Sequence, residues 1–272
     1  MQYQDRHLTV FESALYRTTT TLISTPKFNL LVDPNWLPAE IKIIQEYLAS
    51  LGDKPLILLF THSDYDHILG YRAFKAHLVI ASQAFVDSPD KEKNLQLIRD
   101  FDDKYYIRRD YPVEYPHVDI VIREDGQDLT LGDCRFSFYL APGHTADGLF
   151  TVVEPYGYFI AGDYLCNVEF PFIYDSSAAY LNTLRKADVI LEKHRIDRMI
   201  PGHGDLARDA AEIKRRVVVS ASYVQELRES VWNRRPFDLP KWLSRYDFPQ
   251  GLREAHLANE TLVRKEMLAD GT

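Results

Sequence analysis

Residues 60–70 concentrate side chains that can bind metals or move protons. They read FTHSDYDHILG and place His62, Asp64, Asp66 and His67 within six positions, directly after the apolar run PLILL. In an extended segment, residues 62 and 64 share a face, whereas Asp66 and His67 fall where the pattern turns helical, so the four side chains can diverge toward two points. Imidazole and carboxylate groups both bind divalent metals. The spacing therefore predicts two neighbouring metal centres, with helix capping by the aspartates as the alternative.

Three later turns each expose one further candidate ligand. The run RFSFYLA leads into PGHT with His144, YFIA leads into GD with Asp163, and RMI leads into PGHG with His203. Any one of these residues could instead bond to the backbone of its own turn. Loops at strand ends commonly carry function in α/β proteins. Four strand ends that repeat the same arrangement therefore favour one shared site.

The elements that must position these turns alternate between strands and helices. The segments YRTTTTLIS, FNLLVD, KPLILLF and AHLVIAS read as strands, and LPAEIKIIQEYLASLG reads as an amphipathic helix that stops at Gly52. More strands follow between residues 117 and 163, then a helix in SAAYLNTLRKADVILEKHRI, and residues 206–272 read as mainly helical. Residues 88–116 read either as a helical excursion or as a mobile lid. The pattern predicts a layered α/β fold.

Composition limits the classes of function. The chain has 272 residues, 46% of them hydrophobic, which is enough for a sizeable core. A net charge of −8 argues against a nucleic-acid partner. No apolar run approaches the roughly 20 residues that cross a bilayer, and no signal-peptide pattern occurs, so we expect a cytoplasmic protein without a membrane partner. Two cysteines, Cys134 and Cys166, indicate neither a disulfide framework nor a thiolate metal cluster.

The motifs THSDYDH, PGHT, AGD and PGHG, in this order over about 140 residues, resemble the pattern of the metallo-β-lactamase superfamily of metal-dependent hydrolases. That pattern is T-H-x-H-x-D-H, a histidine in P-G-H-T/S, an aspartate in G-D and a histidine in G-H-G. The resemblance implies an α/β fold, a four-layer αββα sandwich. We expect this domain to cover residues 1–205, with residues 206–272 as a helical extension packed on it.

The same resemblance implies a dinuclear metal centre. By matching position, the ligands are His62, Asp64 and His144 for the first metal, Asp66, His67 and His203 for the second, and Asp163 as the bridge. The expected cofactors are two divalent ions, zinc first and iron or manganese as alternatives, and occupancy by one metal stays open. Asp66 and Asp163 are the candidate catalytic residues, because a carboxylate beside the metals can orient a water nucleophile and relay its proton.

Position 64 departs from the family pattern, which has histidine there. With two dications, three carboxylates and a bridging hydroxide the centre is formally neutral, whereas histidine at 64 would leave one positive charge. The extra anion predicts weaker Lewis acids and bound water with a higher pKa. A set of two histidines and one carboxylate also suits iron or manganese better than three imidazoles do. Alternatively, the short Asp64 side chain falls short of the metal and leaves the first site weak or empty.

The predicted reaction is hydrolysis of a small ester, thioester or lactone by a metal-bound hydroxide. Two alternatives stay open: an iron-dependent sulfur-oxidising enzyme of the dioxygenase type, and a metal-binding protein with weakened activity. The residues predicted to contact a small-molecule substrate are Tyr65, Tyr164, Cys166, Asn167 and His256. His256 and Asn259 share one face of a predicted helix. This helix either covers the metal site or is an ordinary surface or core helix. A homodimer is one option for the oligomeric state.

Overall fold

The computed structural model describes residues 1–270, with the side chain of residue 270 excepted. Backbone contacts divide the chain into two compact units. Unit 1 comprises residues 1–138 and 153–156, and unit 2 comprises residues 139–152 and the chain from residue 157 onward. The domain boundary predicted at residue 205 stays a prediction. None of the helices among the described residues combines the length and apolar character of a bilayer-spanning segment.

A seven-stranded sheet forms the framework of unit 1, and its strands lie side by side in chain order. They are β1 (Tyr3–Gln4), β2 (Leu8–Glu12), β3 (Thr19–Ser24), β4 (Asn29–Val32), β5 (Leu56–Leu59), β6 (Leu78–Ser82) and β7 (Ile120–Ile122). Pairing is antiparallel from β1 to β4 and parallel from β4 to β7. Val32 lies opposite Leu59, so the loops after β4 and β5 leave the same edge of the sheet.

The helices of unit 1 are α1 (Pro38–Ser50), α2 (Tyr65–Ile68), α3 (Gln83–Asp87) and α4 (Lys91–Lys104). The amphipathic helix expected from LPAEIKIIQEYLASLG is confirmed as α1, which buries Ile41 and Ile44. The chain leaves it through Gly52 at φ +84°, a left-handed conformation that glycine adopts without steric cost. Trp36, Phe60 and Phe85 are among the largest side chains buried in this unit.

Residues 88–116 contain helix α4, which confirms the helical alternative for that part of the segment. The loop that follows is fixed by Arg109. Its guanidinium forms a two-pronged ion pair with Asp102, with both contacts at 2.8 Å, and donates to the Trp36 carbonyl at 2.7 Å. This side chain is only 3% exposed. A buried, paired arginine ties the loop to the body of the unit.

The second sheet has the strand order β12-β11-β10-β9-β8, and the boundary between the two units runs through β9 and β10. Its strands are β8 (Asp128–Leu131), β9 (Cys134–Leu140), β10 (Leu149–Glu154), β11 (Tyr158–Gly162) and β12 (Arg198–Pro201). Strands β11 and β12 are parallel, with Ile160 opposite Ile200. The loops after these two strands, which carry Asp163 and His203, therefore leave the sheet at one edge.

Four helices complete unit 2: α5 (Ser177–Lys193), α6 (Ala210–Trp232), α7 (Leu239–Leu243) and α8 (Leu252–Asp270). The expectation of a helical tail is confirmed, and Pro236 and Pro240 fall before and at the start of α7, where a missing N–H costs no hydrogen bond. Helix α6 packs against both α5 and α8. Tyr180, Tyr223 and Trp242 are fully buried among these helices.

Candidate metal centre

Unit 1 supplies four of the predicted ligands from the loop after β5 and from α2. The His62 and His67 rings are buried and lie with their centroids 4.2 Å apart. His62 Nε2 lies 3.8 Å from Asp64 Oδ2, and His67 Nε2 lies 3.7 Å from Asp66 Oδ2. Each histidine thus directs Nε2 toward a carboxylate of the same short segment, residues 62–67. Asp64 is the more exposed of the two aspartates.

The other ring nitrogen of each of these histidines is fixed by a single aspartate at the end of β4. His67 Nδ1 donates to Asp33 Oδ2 at 3.1 Å, and Thr61 Oγ1 donates to the same oxygen at 2.6 Å. A hydroxyl has one hydrogen, so Thr61 Oγ1 accepts from His62 Nδ1, 2.9 Å away. Asp33 therefore sets the tautomer of both histidines and leaves a lone pair on both Nε2 atoms, which is the usual support of a metal-binding histidine.

Asp33 was not predicted as a site residue. It is buried, and its other oxygen accepts from the Thr61 backbone N–H at 2.9 Å. Ligand atoms of Asp33, His62 and His67 lie within 4.8 Å of one another. The available signal was the aspartate that ends the strand pattern FNLLVD, because a neighbouring parallel strand delivers its end to the same sheet edge.

The loop between the two histidines is held in place by helix α4. Asn94 is buried on this helix, and its Nδ2 donates to the Ser63 carbonyl at 2.6 Å. Tyr65, a predicted substrate contact, is partly exposed and packs edge-on against Trp36 with ring centroids 5.5 Å apart. The segment that read as a possible lid thus contributes a direct support of the ligand loop.

Unit 2 supplies the other three predicted ligands from the ends of β9, β11 and β12. Asp163 Oδ2 lies 3.1 Å from His203 Nε2 and 3.4 Å from His144 Nε2, and all three side chains are less than a tenth exposed. His144 Nδ1 donates to the Phe172 carbonyl at 2.8 Å. A carbonyl can only accept, so His144 also keeps its lone pair on Nε2, facing Asp163. Gly143 before it is at φ +127°, and an added Cβ would lie 2.3 Å from the Tyr180 nitrogen.

The support of His144 reaches the C-terminal helix. Asn259 on α8 donates to the Pro171 carbonyl at 2.7 Å and accepts from the Ile173 N–H at 2.8 Å, which brackets Phe172. Asn259 also donates to the Tyr223 hydroxyl at 3.0 Å, and Tyr223 bonds to His256 Nδ1 at 3.0 Å. Both α8 side chains are buried, which confirms the core alternative for this helix face. Burial lowers the pKa of His256.

The remaining predicted substrate contacts lie on the segment after Asp163. Tyr164 is buried; its hydroxyl accepts from the His144 N–H at 2.9 Å and donates to the Pro142 carbonyl at 2.7 Å. Burial raises the pKa of Tyr164 and, well above its ordinary value, the pKa of the Cys166 thiol, so both groups stay neutral. Asn167 is exposed. Substrate contact by Tyr65, Tyr164, Cys166, Asn167 and His256 stays a prediction.

Known proteins resemble this chain in sequence pattern and in fold. A family model described as the metallo-beta-lactamase superfamily matches residues 15–203. No curated protein sequence matches the chain. The sec-alkylsulfatase Pisa1 from Pseudomonas sp. has the same fold with a TM-score of 0.67 at 15% identity, over 85% of this chain and 42% of the sulfatase. This chain therefore spans less than half the length of that enzyme.

Two further solved structures are similar over most of their length. A metallo-beta-lactamase family protein from Thermus thermophilus has a TM-score of 0.66 at 19% identity, with 97% of this chain and 93% of that chain covered. A B3 metallo-beta-lactamase with an active-site glutamic acid has a TM-score of 0.54 at 19% identity, with 80% and 86% covered. At these identities the likeness shows a shared fold.

Proposed function

Because the chain belongs to the metallo-β-lactamase superfamily, as its motifs and the predicted α/β fold class indicated, we propose that it is a metal-dependent hydrolase of a small ester, thioester or lactone. The observation that carries this proposal is the hydrogen bonding of three histidine rings. His62, His67 and His144 each donate from Nδ1 to a fixed acceptor and direct Nε2 toward a carboxylate. Buried imidazole lone pairs beside carboxylate oxygens form a donor set that divalent metals bind.

The proposed ligands are the seven residues that match the family motifs. They are His62, Asp64, Asp66 and His67 in unit 1 and His144, Asp163 and His203 in unit 2. Two divalent ions, with zinc ahead of iron and manganese, are the proposed cofactors, and they would supply Lewis acidity to the scissile bond and to water. Asp163 Oδ2 faces two histidines, and Asp66 lies beside His67, so either carboxylate can hold the attacking water and accept its proton.

The acidic residue at position 64 is compatible with this proposal. Asp64 Oδ2 lies 3.8 Å from His62 Nε2, so the aspartate does direct its carboxylate toward the histidine that is proposed as its co-ligand. The B3 metallo-beta-lactamase with an active-site glutamic acid supports the idea that a superfamily site tolerates an acidic side chain. We propose that Asp64 shifts the metal preference of the first site toward iron or manganese. If Asp64 does not bind the metal, the chain would be a metal-binding protein with weakened activity.

The test combines metal analysis with a substrate panel. We expect the purified protein to retain at least one divalent ion and to hydrolyse a member of a panel of lactones, thioesters, aryl esters, β-lactams and alkyl sulfates. Asp163→Asn should abolish turnover and reduce metal content, whereas Asp188→Asn, an exposed position on α5, should change neither. Full metal content without turnover of any panel member would overturn the hydrolase proposal.

A second candidate, an iron-dependent sulfur-oxidising enzyme, is favoured by one observation. The proposed ligands of the first metal, His62, His144 and Asp64, are two histidines and one carboxylate, a set that often binds non-haem iron in oxygenases. The two candidates separate in one measurement, since an iron-loaded sample of such an oxygenase consumes oxygen when a thiol is added. Hydrolysis by the zinc-loaded protein without thiol-dependent oxygen consumption would remove this candidate.

A further inference from the structure

Unit 2 contains a cavity of about 420 Å³ between α6, the residues after α7 and the segment after Asp163. Its volume lies in the range of small-molecule sites. Three arginines line it, Arg215, Arg216 and Arg245, with a single acidic residue, Glu212. The whole chain carries a net charge of −8, so a cavity wall with a surplus of positive charge is opposite in sign to the molecule as a whole.

Arg216 does not contribute to this surplus, because its charge and its donors are used within the fold. It is buried, forms a close ion pair with Glu212, and donates to the carbonyls of Leu165 and Asp205 at 3.1 and 2.7 Å. Arg216 thereby ties together the loops that carry Asp163 and His203. Its role is to shape the cavity wall.

Arg215 and Arg245 supply the two positive charges that remain. Both are exposed, and neither forms an ion pair with a side chain among the described residues. The Arg245 guanidinium lies 4.4 Å from the centroid of the Trp242 ring. Trp242 is itself fully buried and donates from Nε1 to Glu226 at 2.9 Å. This cation–π contact does not use the guanidinium N–H groups as hydrogen-bond donors, so they are available to an oxyanion.

Neutral donors complete the cavity. Burial raises the pKa of Tyr246, which lines the cavity, so its hydroxyl stays protonated at neutral pH. Asn167 exchanges two hydrogen bonds with Asp205, at 2.9 and 2.8 Å, and this pair fixes the wall nearest the loop of His203. The cavity therefore combines a fixed polar wall with two guanidinium groups that form no ion pair among the described side chains, although the Glu169 carboxylate acts on the cavity-lining Cys166 and Tyr246. Guanidinium groups of this kind recognise carboxylate, sulfate and phosphate groups.

We propose that this cavity binds the oxyanion group of a small ligand, with Arg215 and Arg245 as the principal contacts. The inference goes beyond the proposed hydrolase activity, because anion binding in unit 2 requires no turnover. Sulfate, phosphate and carboxylate groups are recognised by the same chemistry. The relative affinities for inorganic sulfate, inorganic phosphate and acetate show which group the cavity prefers.

The test is calorimetric titration of the metal-loaded full chain with each probe at constant ionic strength. We expect saturable binding of one equivalent of sulfate or phosphate. The double variant Arg215→Gln, Arg245→Gln should weaken binding by at least about tenfold, because two charge-assisted hydrogen bonds are lost. The control Lys214→Gln, Lys265→Gln removes the same charge from exposed positions on α6 and α8 and should leave the dissociation constant within about twofold.

Arg215→Gln alone keeps the experiment decisive if the double variant is unstable, because Arg215 is exposed on a helix and makes no ion pair with the described side chains. This single change must also weaken binding. Equal weakening by the lysine control, or no saturable binding of any probe by the unmodified chain, would overturn the proposal. Since heat of binding is measured without substrate, neither result depends on the hydrolase proposal.

Discussion

Single side chains with fixed hydrogen-bond partners define what the candidate centre can bind. Asp33 receives three hydrogen bonds, one from the His67 ring and two from Thr61, and through Thr61 it also fixes the ring of His62. Neither Asp33 nor Thr61 matches a ligand position of the family motifs. Their effect is to keep both Nε2 lone pairs available, so residues outside the ligand set prepare the ligands for a metal.

We expect Asp33→Asn to lower metal affinity by about 10- to 100-fold, because an amide nitrogen accepts no hydrogen bond and cannot replace the oxygen that accepts from Thr61 and His67. Asparagine tolerates the left-handed backbone of residue 33, at φ +48°, so the main chain should be unaffected. Competition with a chromogenic chelator measures the change. Asp53→Asn, at an exposed position, is the control, and equal affinities for the two variants would contradict this role of Asp33.

Asp64→His should move metal preference toward zinc and shift the pH–rate profile to lower pH. The substitution adds an imidazole ligand and removes one negative charge, and both changes favour a lower pKa of metal-activated water. Competitive loading with zinc and manganese, followed by elemental analysis, gives a readout that does not need turnover. Asp64→Asn removes the charge without adding imidazole, so it should shift the profile and not raise zinc selectivity. If Asp64→His changed neither metal content nor profile, residue 64 would have no part in the site.

Secondary-structure elements bring these side chains to two sheet edges. In unit 1, parallel pairing of β4 with β5 places Asp33 beside the loop of His62. In unit 2, helix α8 holds the segment around Phe172, and Phe172 in turn orients His144. Helix α8 thus supports a candidate ligand of its unit, although the helix carries none of the family motifs.

Asn259→Leu should reduce the free energy of unfolding by about 2–4 kcal/mol, because the Pro171 carbonyl and the Ile173 N–H would lose their partners in a buried setting. Urea unfolding measures the loss, and metal titration should show weaker binding in the folded variant as His144 loses its support. Asn182→Ala, at an exposed site on α5, should cost less than about 1 kcal/mol. A variant as stable as the unmodified chain would show that Asn259 does not hold this segment.

Stability should also fall at mildly acidic pH because of His256. Burial lowers its pKa in the folded chain, so between the folded and unfolded pKa values the unfolded chain binds more protons. The contribution of His256 is therefore fully present above the unfolded value of about 6.5 and declines as pH falls below it. We expect His256→Gln to reduce the difference in unfolding free energy between pH 7.5 and pH 5.5, whereas Asn182→Gln, at an exposed site without a titrating group, should leave it unchanged.

At the scale of the whole molecule, the chain is acidic, with a net charge of −8. The exposed arginines at the cavity of unit 2 carry the opposite charge, as the proposed bound cations would. Asp33 receives a ring N–H from His67, whereas Asp66 and Asp163 face histidine Nε2 atoms at 3.7 Å and at 3.1–3.4 Å. Bound dications would offset the charge of these carboxylates. The cytoplasmic location, the lack of a nucleic-acid partner and the homodimer stay predictions.

Metal removal should therefore destabilise the molecule as a whole. A ligand that binds only the folded state at 100 times its dissociation constant adds about 2.7 kcal/mol to the free energy of unfolding. We expect chelation to lower the thermal midpoint and re-addition of zinc or manganese to restore it, as followed by circular dichroism. An unchanged midpoint after verified metal removal would contradict the metal-binding proposal.

The sequence by itself determined the local elements and the seven motif positions. Apolar periodicity predicted α1 and the strands before each motif, because the repeat of buried side chains in a helix or strand involves residues only a few positions apart. The resemblance of THSDYDH, PGHT, AGD and PGHG to a family pattern gave the candidate ligands and the fold class.

Only the tertiary structure decided which distant groups support those positions. Asp33 is 34 residues from His67, Phe172 is 28 residues from His144, and Asn259 is 86 residues from Ile173. Arg215 and Arg245 likewise line one cavity from separate elements. No local pattern marks such partners, because each is an ordinary polar residue in its own segment until the chain is folded and the two segments meet.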